Sequence, residues 1–404
     1  MTGPPPLLTK TFGLLVLGHF LQALGFGSLL LLPLYLDHLG ASHTQIGAIM
    51  AAPAVGGLAS RPLVGWALDR VGRRPTLLAG TGVLVLSMAL LFWVRDLGPL
   101  IYVDRILFGV GAGTLFTGYF TWATDLIPEA RRTEGIAVFG ISGLLPMGLN
   151  AFVGDLGIEP QDLRLLFAGL AGMIALSIPI LLALPEARRA RTGASLGEVL
   201  LALRRRPLWP VWAATALFAG LVGVFMAFAT VTAQGRGSPN PAGLWLTYVL
   251  GAAAVRLVGG RLPDRVGTHN LVAPALGSYA LAFVVLAVAE QQSGFWLAGL
   301  LGGIGHGYCF PVVVSQVVTR SPAAWRGSAM ATFTAAWQGS ELAFPPLFGA
   351  VADRAGEVAM LGLVVLAALV GLLGWAALEH RALASDGPER AHRELEGPRR
   401  SCQA

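Results

Sequence analysis

The chain has 404 residues, 55% of them hydrophobic and 12% charged, with a formal net charge of +6 and a pI near 9.9. A soluble globular chain averages about 25% charged residues, so an ordinary cytosolic enzyme is excluded. Cys309 inside an apolar run and Cys402 near the end are too far apart to make a disulfide framework or a metal site.

Apolar runs of about 18 residues or more read as membrane spans. Twelve follow one another, at 12–36, 45–67, 76–94, 99–126, 133–154, 163–184, 208–232, 242–262, 271–289, 294–318, 327–351 and 358–378. They are continuously apolar and do not alternate over about ten residues, which predicts helices and not barrel strands. Met1 to Thr11 carries three consecutive prolines, one lysine and no small-residue cleavage pattern, so no cleavable signal peptide is expected. The first span holds His19 and Gln22 one helical turn apart, and the second runs into the loop Gly65-x-x-x-Asp69-Arg70-x-Gly72-Arg73-Arg74. The fourth contains Asp104, then Arg105-x-x-x-Gly109-x-Gly111-x-Gly113, then Tyr119 and Trp122 on one face, and ends at Asp125. Asp104 and Arg105 are adjacent and point to different helix faces, which predicts that Arg105 finds its partner elsewhere.

Segment 185–207 separates the first six spans from the last six. It carries Arg188, Arg189, Arg191 and Arg204 to Arg206 and reads as a charged tether, in which Ser195 to Leu203 has the option of a short surface helix. The eighth span holds Arg256 and runs into Gly260, Asp264, Arg265 and Gly267. The tenth holds His306, read as a satisfied structural residue. In the eleventh, Trp337, Gln338 and Glu341 share a face, and Glu341 is the carboxylate nearest a span centre. After His380 the chain is rich in charge, Pro and Ser, and a disordered tail over 381–404 is expected.

The two loops are copies. Arg61, Gly65, Asp69, Arg70, Val71 and Gly72 return at an offset of 195 as Arg256, Gly260, Asp264, Arg265, Val266 and Gly267. Gly109, Gly111 and Gly113 return at 194 as Gly303, Gly305 and Gly307, and Pro128 with Arg132 returns as Pro322 with Arg326. A repeat of half the chain dictates architecture before local structure does. It predicts an all-α membrane protein of twelve transmembrane helices in two pseudo-symmetric six-helix bundles: 1–184 and 208–380, with a binding site at their interface. The copies differ in one respect: Arg73 and Arg74 become Thr268 and His269, while Asp125 becomes Thr319. Both members of a pair vanish together, which predicts an Arg73–Asp125 ion pair.

With the N-terminus placed in the cytoplasm, 21 of the 28 Lys and Arg residues fall on the inside, four (Arg95, Arg164, Arg236, Arg354) fall outside, and Arg61, Arg105 and Arg256 lie within spans. The asymmetry predicts both termini in the cytoplasm and a multi-pass protein of the cytoplasmic (inner) membrane. The basic balance is a topology signal, and no nucleic-acid partner is expected.

The Gly65-to-Arg74 loop, its second copy and the twelve spans resemble the major facilitator superfamily, and most of all its bacterial twelve-helix efflux permeases. The resemblance implies that Asp69 and Asp264 cap helices beginning after Pro322 and Pro128 on the cytoplasmic side when the protein is open outward. It also implies that Arg105 takes part in proton coupling and that the first, fourth, seventh and tenth spans line a central cavity. Gly65 and Gly72 would supply close packing and a tight turn. The fifth span, Gly140-Ile-Ser-Gly143-Leu-Leu-Pro146-Met-Gly148, has Leu145 where the efflux pattern has a glycine.

Ionisable groups deep in spans are functional candidates. For proton coupling or substrate contact these are Glu341, Arg105, His19, Gln22, Arg256, Gln338, Trp337 and Tyr119. Arg61 joins Arg256 as a lining group of the cytoplasmic vestibule. The expected function is secondary transport of a small organic molecule by alternating access, as proton-coupled efflux. Proton-coupled uptake of a small polar or anionic nutrient is the alternative, with Arg256 and Arg105 as anion ligands, and a non-transporting receptor or scaffold is a third class. No nucleophile–base set, metal cluster or phosphate loop points to an enzyme, and no cofactor is expected. The expected partners are the substrate, protons and the lipid bilayer, with the chain acting as a monomer.

Overall fold

The computed structural model describes residues 7, 9–128, 132–153, 156–186, 206–258, 262–321 and 326–395. Among these the chain is helical, without strands. Twelve long helices follow in order. In the first half they are α1 Lys10–His38, α2 His43–Arg70, α3 Arg73–Leu90, α4 Pro99–Leu126, α5 Arg132–Leu149 and α6 Pro160–Ala183. In the second they are α7 Trp209–Gly235, α8 Pro241–Val258, α9 Thr268–Val288, α10 Gln292–Arg320, α11 Arg326–Ala355 and α12 Glu357–Leu395.

Local chemistry sets the starts. The Thr9 hydroxyl accepts the Phe12 N–H at 3.2 Å to open α1, and Ser42 with Gln45 forms a reciprocal capping box at α2. Proline opens α4 at Pro99 and α8 at Pro241, where a missing N–H costs nothing. Gly72 and Gly267, one repeat apart, have φ of 123° and 85° at the starts of α3 and α9. Only glycine takes that conformation freely.

Among the described residues, nine of the helices are long and apolar enough to cross a bilayer on their own. α11 is not among them, because Thr334, Trp337, Gln338, Ser340 and Glu341 interrupt its middle. Burial follows the repeat: α7 has 83% of its apolar window inside the protein and α1 61%, against 28% for both α6 and α12. The first helix of each half is therefore central and the last faces lipid.

The repeat is also written in backbone contacts. A methyl group built on Gly109 would stand 1.9 Å from the Pro53 carbonyl oxygen, and one on Gly56 would stand 2.0 Å from that of Ile106. Their counterparts at 194–195, Gly303 and Gly251, would meet the carbonyl oxygens of Tyr248 at 1.9 Å and Leu300 at 2.5 Å. α2 thus packs on α4 as α8 packs on α10, backbone against backbone, as close helix approach in lipid requires.

The two bundles meet along α2–α11 and α5–α8. The start of α1, the end of α12 and the α2–α3 loop lie on one face, here called proximal. On the distal face polar bonds cross between bundles: Thr230 Oγ1 donates to the Leu30 carbonyl at 3.1 Å, Gln234 Nε2 to Asp37 at 3.3 Å, and Asn240 Nδ2 to the Ala151 carbonyl at 2.8 Å. The distal side of the seam is closed.

One expectation is corrected. Of the segment 381–404, residues 381–395 continue α12 as helix through Leu395, and 396–404 lie outside the described residues. A helix already nucleated extends cheaply through Arg381, Ala382 and Ala384; its passage through Gly387 and Pro388 has no such local reason. Ser195 to Leu203 and Gly260 lie outside the described residues.

These contacts yield a test. Gly109→Val and Gly303→Val each force a backbone apart and are expected to cost about 3 kcal/mol in thermal unfolding of the detergent-solubilised protein. Gly277→Val, where no atom stands within 4 Å, is expected to change stability by less than about 0.5 kcal/mol.

Candidate functional site

At the proximal loop Gly72 turns the chain so that Arg73 enters the protein. The buried Arg73 points Nε at Asp125 Oδ2 at 3.3 Å, donates Nη1 to the Leu68 carbonyl at 2.9 Å and lies 4.0 Å from Asp69. A cation held this way has no need to reach solvent. Glu186, just past α6, accepts the backbone N–H groups of Arg73 at 2.7 Å and Arg74 at 3.3 Å. Arg74 itself donates to the Leu184 carbonyl. Glu186 therefore caps α3 from the end of its own bundle, where a carboxylate meets the positive end of the helix. Arg70 and Arg265 are exposed. Among the described residues a methyl group on Gly65 would meet nothing within 4 Å, so the expected close packing there is not seen among them. The Asp264 carboxylate lies outside the described side chains.

Within the bilayer the two repeated arginines come to the seam. Arg61 of α2 donates Nε to Gln338 Oε1 of α11 at 3.2 Å, a bond between bundles. Gly57, one turn before Arg61, makes room for it, since a methyl group there would lie 2.4 Å from Gln338 Nε2. Arg256 of α8 reaches the other bundle too, with Nη1 3.1 Å from where a methyl group on Gly140 of α5 would sit. Both arginines are half-buried. Among the described residues neither has a carboxylate within 4.0 Å.

Around them stand aromatic and neutral polar groups. Trp337 packs edge-on against Phe218 at 5.3 Å and Phe310 at 5.5 Å, and Phe218 against His306 at 5.5 Å. His306 Nδ1 is 2.5 Å from the Tyr248 hydroxyl, which lies 3.0 Å from that of Tyr279. Glu341 lies one turn beyond Trp337 on the same face of α11. His19 bonds the Ser142 hydroxyl of α5 at 2.7 Å and stacks on Phe139 at 4.3 Å. Gly143, one turn from Gly140, gives that ring its place. Arg61, Gln338, Trp337, Glu341, Arg256 and His19 thus form one constellation around the seam.

Three expected residues stand apart. Gln22 turns away from His19 into its own bundle and donates to Thr81 at 2.7 Å and Ser177 at 3.2 Å. Tyr119 is buried beside the His19 ring, at 5.3 Å, with its hydroxyl wedged against Gly18. Arg105 does not seek a distant partner: its Nε and Nη2 fold back on Asp104 Oδ2 at 2.8 and 2.5 Å. Ser87 of α3 satisfies Asp104 Oδ1 at 2.9 Å, and both charges are buried. The guanidinium stem is long enough to cancel the angular offset of neighbours, and in a dry environment the nearest carboxylate wins.

One polar contact of the seam has no forerunner in the sequence reading. Asp353, at the distal end of α11, accepts the N–H groups of His43 at 2.8 Å and Thr44 at 2.9 Å, with His43 Nδ1 at 3.2 Å. Burial pushes the Asp353 carboxyl up, but bonds from Thr44, His43 and Ser42 outweigh it and hold it well below the usual carboxylate range. The contribution of this contact is therefore present above the ordinary aspartate pKa and is lost only as pH falls through the lowered value. The only sequence signal was an Asp four residues after a Gly at a span end, too common a pattern to stand out.

The family model of the Major Facilitator Superfamily matches residues 15–345. The probable nitrate/nitrite transporter NarK2 of Mycobacterium tuberculosis is 28% identical over 353 residues, covering 83% of this chain and 86% of its own. An uncharacterized MFS-type transporter of Burkholderia mallei is 27% identical, with 83% of each chain covered. Among solved structures, a mutant of the peptide transporter POT superposes with a TM-score of 0.78 at 17% identity, covering 92% of this chain and 95% of that one. A mutant of the nucleoside transporter NupG does so with 0.77 at 14% identity, covering 91% and 100%. These two share the fold. With twelve helices in two bundles whose glycine contacts repeat, and a family match over most of its length, the chain belongs to the major facilitator superfamily and is a multi-pass membrane transporter of a small substrate.

Proposed function

We propose that this protein carries a small inorganic anion of the nitrate or nitrite class, held between Arg61 and Arg256 at the seam of the bundles. One observation carries the reading: two guanidinium groups lie inside the membrane, related by the repeat, each reaching across the seam and neither paired with an acid among the described residues. A cation at bilayer depth costs about 3 kcal/mol or more when unpaired. An anion between the two arginines removes that cost, and planar oxyanions match the guanidinium fork. The likeness to NarK2 supports the same class.

The remaining groups take roles around the anion. Gln338 holds Arg61 through Nε and, being neutral, leaves its charge available. Glu341, the carboxylate of the α11 face, is the proton carrier of a coupled cycle. Arg105, neutralised by Asp104, is a structural charge and not an anion ligand. The excess of basic residues on the proximal face supports placing that face in the cytoplasm. A second reading, proton-coupled efflux of a flat organic molecule, draws on the aromatic cluster of Phe218, Phe310, Phe333 and Trp337. Leu145 in place of the glycine before Pro146 weighs against it.

Purified protein in proteoliposomes separates these readings. Nitrate or nitrite is expected to raise the thermal unfolding midpoint and to exchange across the membrane. Arg61→Ala and Arg256→Ala are each expected to weaken anion binding at least about 100-fold, while the empty protein keeps or gains stability because an uncompensated charge is gone. Transport with wild-type KM in either variant, or a response to flat organic molecules alone, removes the anion reading. Gln338→Glu places a carboxylate on Arg61 and is expected to raise KM about tenfold or more with a smaller change in kcat. Glu341→Gln is expected to leave anion binding intact while abolishing coupled proton movement. Unchanged proton flux excludes Glu341 from coupling.

A further inference from the structure

The start of α2 is built by both bundles. The first four N–H groups of a helix have no partner within it. At α2 these belong to Ser42, His43, Thr44 and Gln45. The α2 capping box satisfies two of them: Ser42 N–H donates to Gln45 Oε1 at 3.0 Å, and Gln45 N–H donates to Ser42 Oγ at 3.3 Å. The other two donate to the carboxylate of Asp353, which belongs to α11 of the opposite bundle, at 2.8 and 2.9 Å. One oxygen serves each donor, so the carboxylate is matched to the helix end on both sides.

Nothing separates the two helices behind this bond. A methyl group on Gly349, one turn before Asp353, would lie 2.3 Å from the His43 carbonyl oxygen, and one on Gly47 would lie 2.3 Å from that of Pro345. The contact sits on the distal face, where the seam is closed. It is partly exposed, with side-chain exposure of 34% at His43 and 26% at Asp353. Water can therefore replace either partner once the helices part, as a contact that must break in every cycle requires.

We propose that Asp353 is a latch of the distal gate: its carboxylate completes the N-terminus of α2 only while the bundles are closed on that face, and the face opens when Asp353 leaves the His43 and Thr44 amides. The bond joins a negative charge to the positive end of a helix through charge-assisted hydrogen bonds. It therefore biases the population toward the distal-closed state without strain elsewhere. α2 and α11 run antiparallel, so the helix end that receives Asp353 is the one opposite Asp69.

The test uses the full chain in lipid nanodiscs, with Cys402→Ser, the buried Cys309 left in place, and spin labels at Arg95→Cys and Glu290→Cys. These two residues are exposed and lie on distal loops of opposite bundles. Pulsed electron spin resonance reads the distance between them. Asp353→Ala and Asp353→Asn are expected to raise the ratio of distal-open to distal-closed molecules about tenfold or more. Asp353→Glu restores most of the closed population. Gln45→Ala removes the side chain that accepts the Ser42 N–H, a cap of the same helix that does not cross the seam, and is expected to lower the unfolding midpoint without moving the distance. Distances unchanged in Asp353→Ala, or moved equally by Gln45→Ala, overturn the latch. Should Asp353→Ala fail to fold, the same distances in Asp353→Asn decide.

Discussion

A charge inside a bilayer has to be neutralised, bonded or used, and the way each charge of this protein meets that demand organises the molecule. Arg105 is cancelled at once by its neighbour Asp104, and Ser87 completes the pair, which fastens α3 to α4. Arg73 is drawn under the membrane surface by Asp125 and the Leu68 carbonyl and ties the proximal loop down. Arg61 and Arg256 receive neither treatment. Their neighbours are an amide, glycines and phenols, which accommodate a guanidinium without reducing its charge. Charges that are left available in apolar surroundings are the costly ones, and they mark where a ligand of opposite sign lowers the energy of the whole assembly.

The frame that holds these charges is made by absence of side chains. Gly56 and Gly109 bring α2 and α4 to backbone contact, and Gly251 and Gly303 do the same for α8 and α10. Lipid offers no hydrophobic drive for such contacts, so they rest on dispersion over closely fitted surfaces and resist deformation. Each half is consequently stiff, and motion is left to the seam. At the seam the glycines are joined by polar bonds, from Thr230, Gln234, Asn240 and Asp353 on the distal side and from Gln338 at the level of the arginines. Bonds of that kind exchange with water at little net cost, which suits surfaces that part and rejoin. The proposed anion site and the proposed gate therefore share α2 and α11. In the proposed cycle, an anion bound at Arg61 acts on the same helix whose distal end Asp353 holds.

The twelve spans, their helical character and the duplication were legible in the sequence because each is a local or periodic property. Apolar length sets a span whatever surrounds it, and the offset of 195 survived as geometry in Gly72 and Gly267 and in the paired carbonyl contacts. The Arg73–Asp125 pairing was also legible, because the second copy had lost both members together. Tertiary structure alone decided which way the polar side chains turned. His19 and Gln22 share a helix turn yet face different neighbours, since Thr81 and Ser177 wait on one side and Ser142 on the other. Arg105 curled onto Asp104, and Asp353 crossed to the α2 amides. Hydrogen bonds reach about 3 Å, so partners separated by hundreds of residues are named only when packing brings them together. Spacing along one helix carries no record of that.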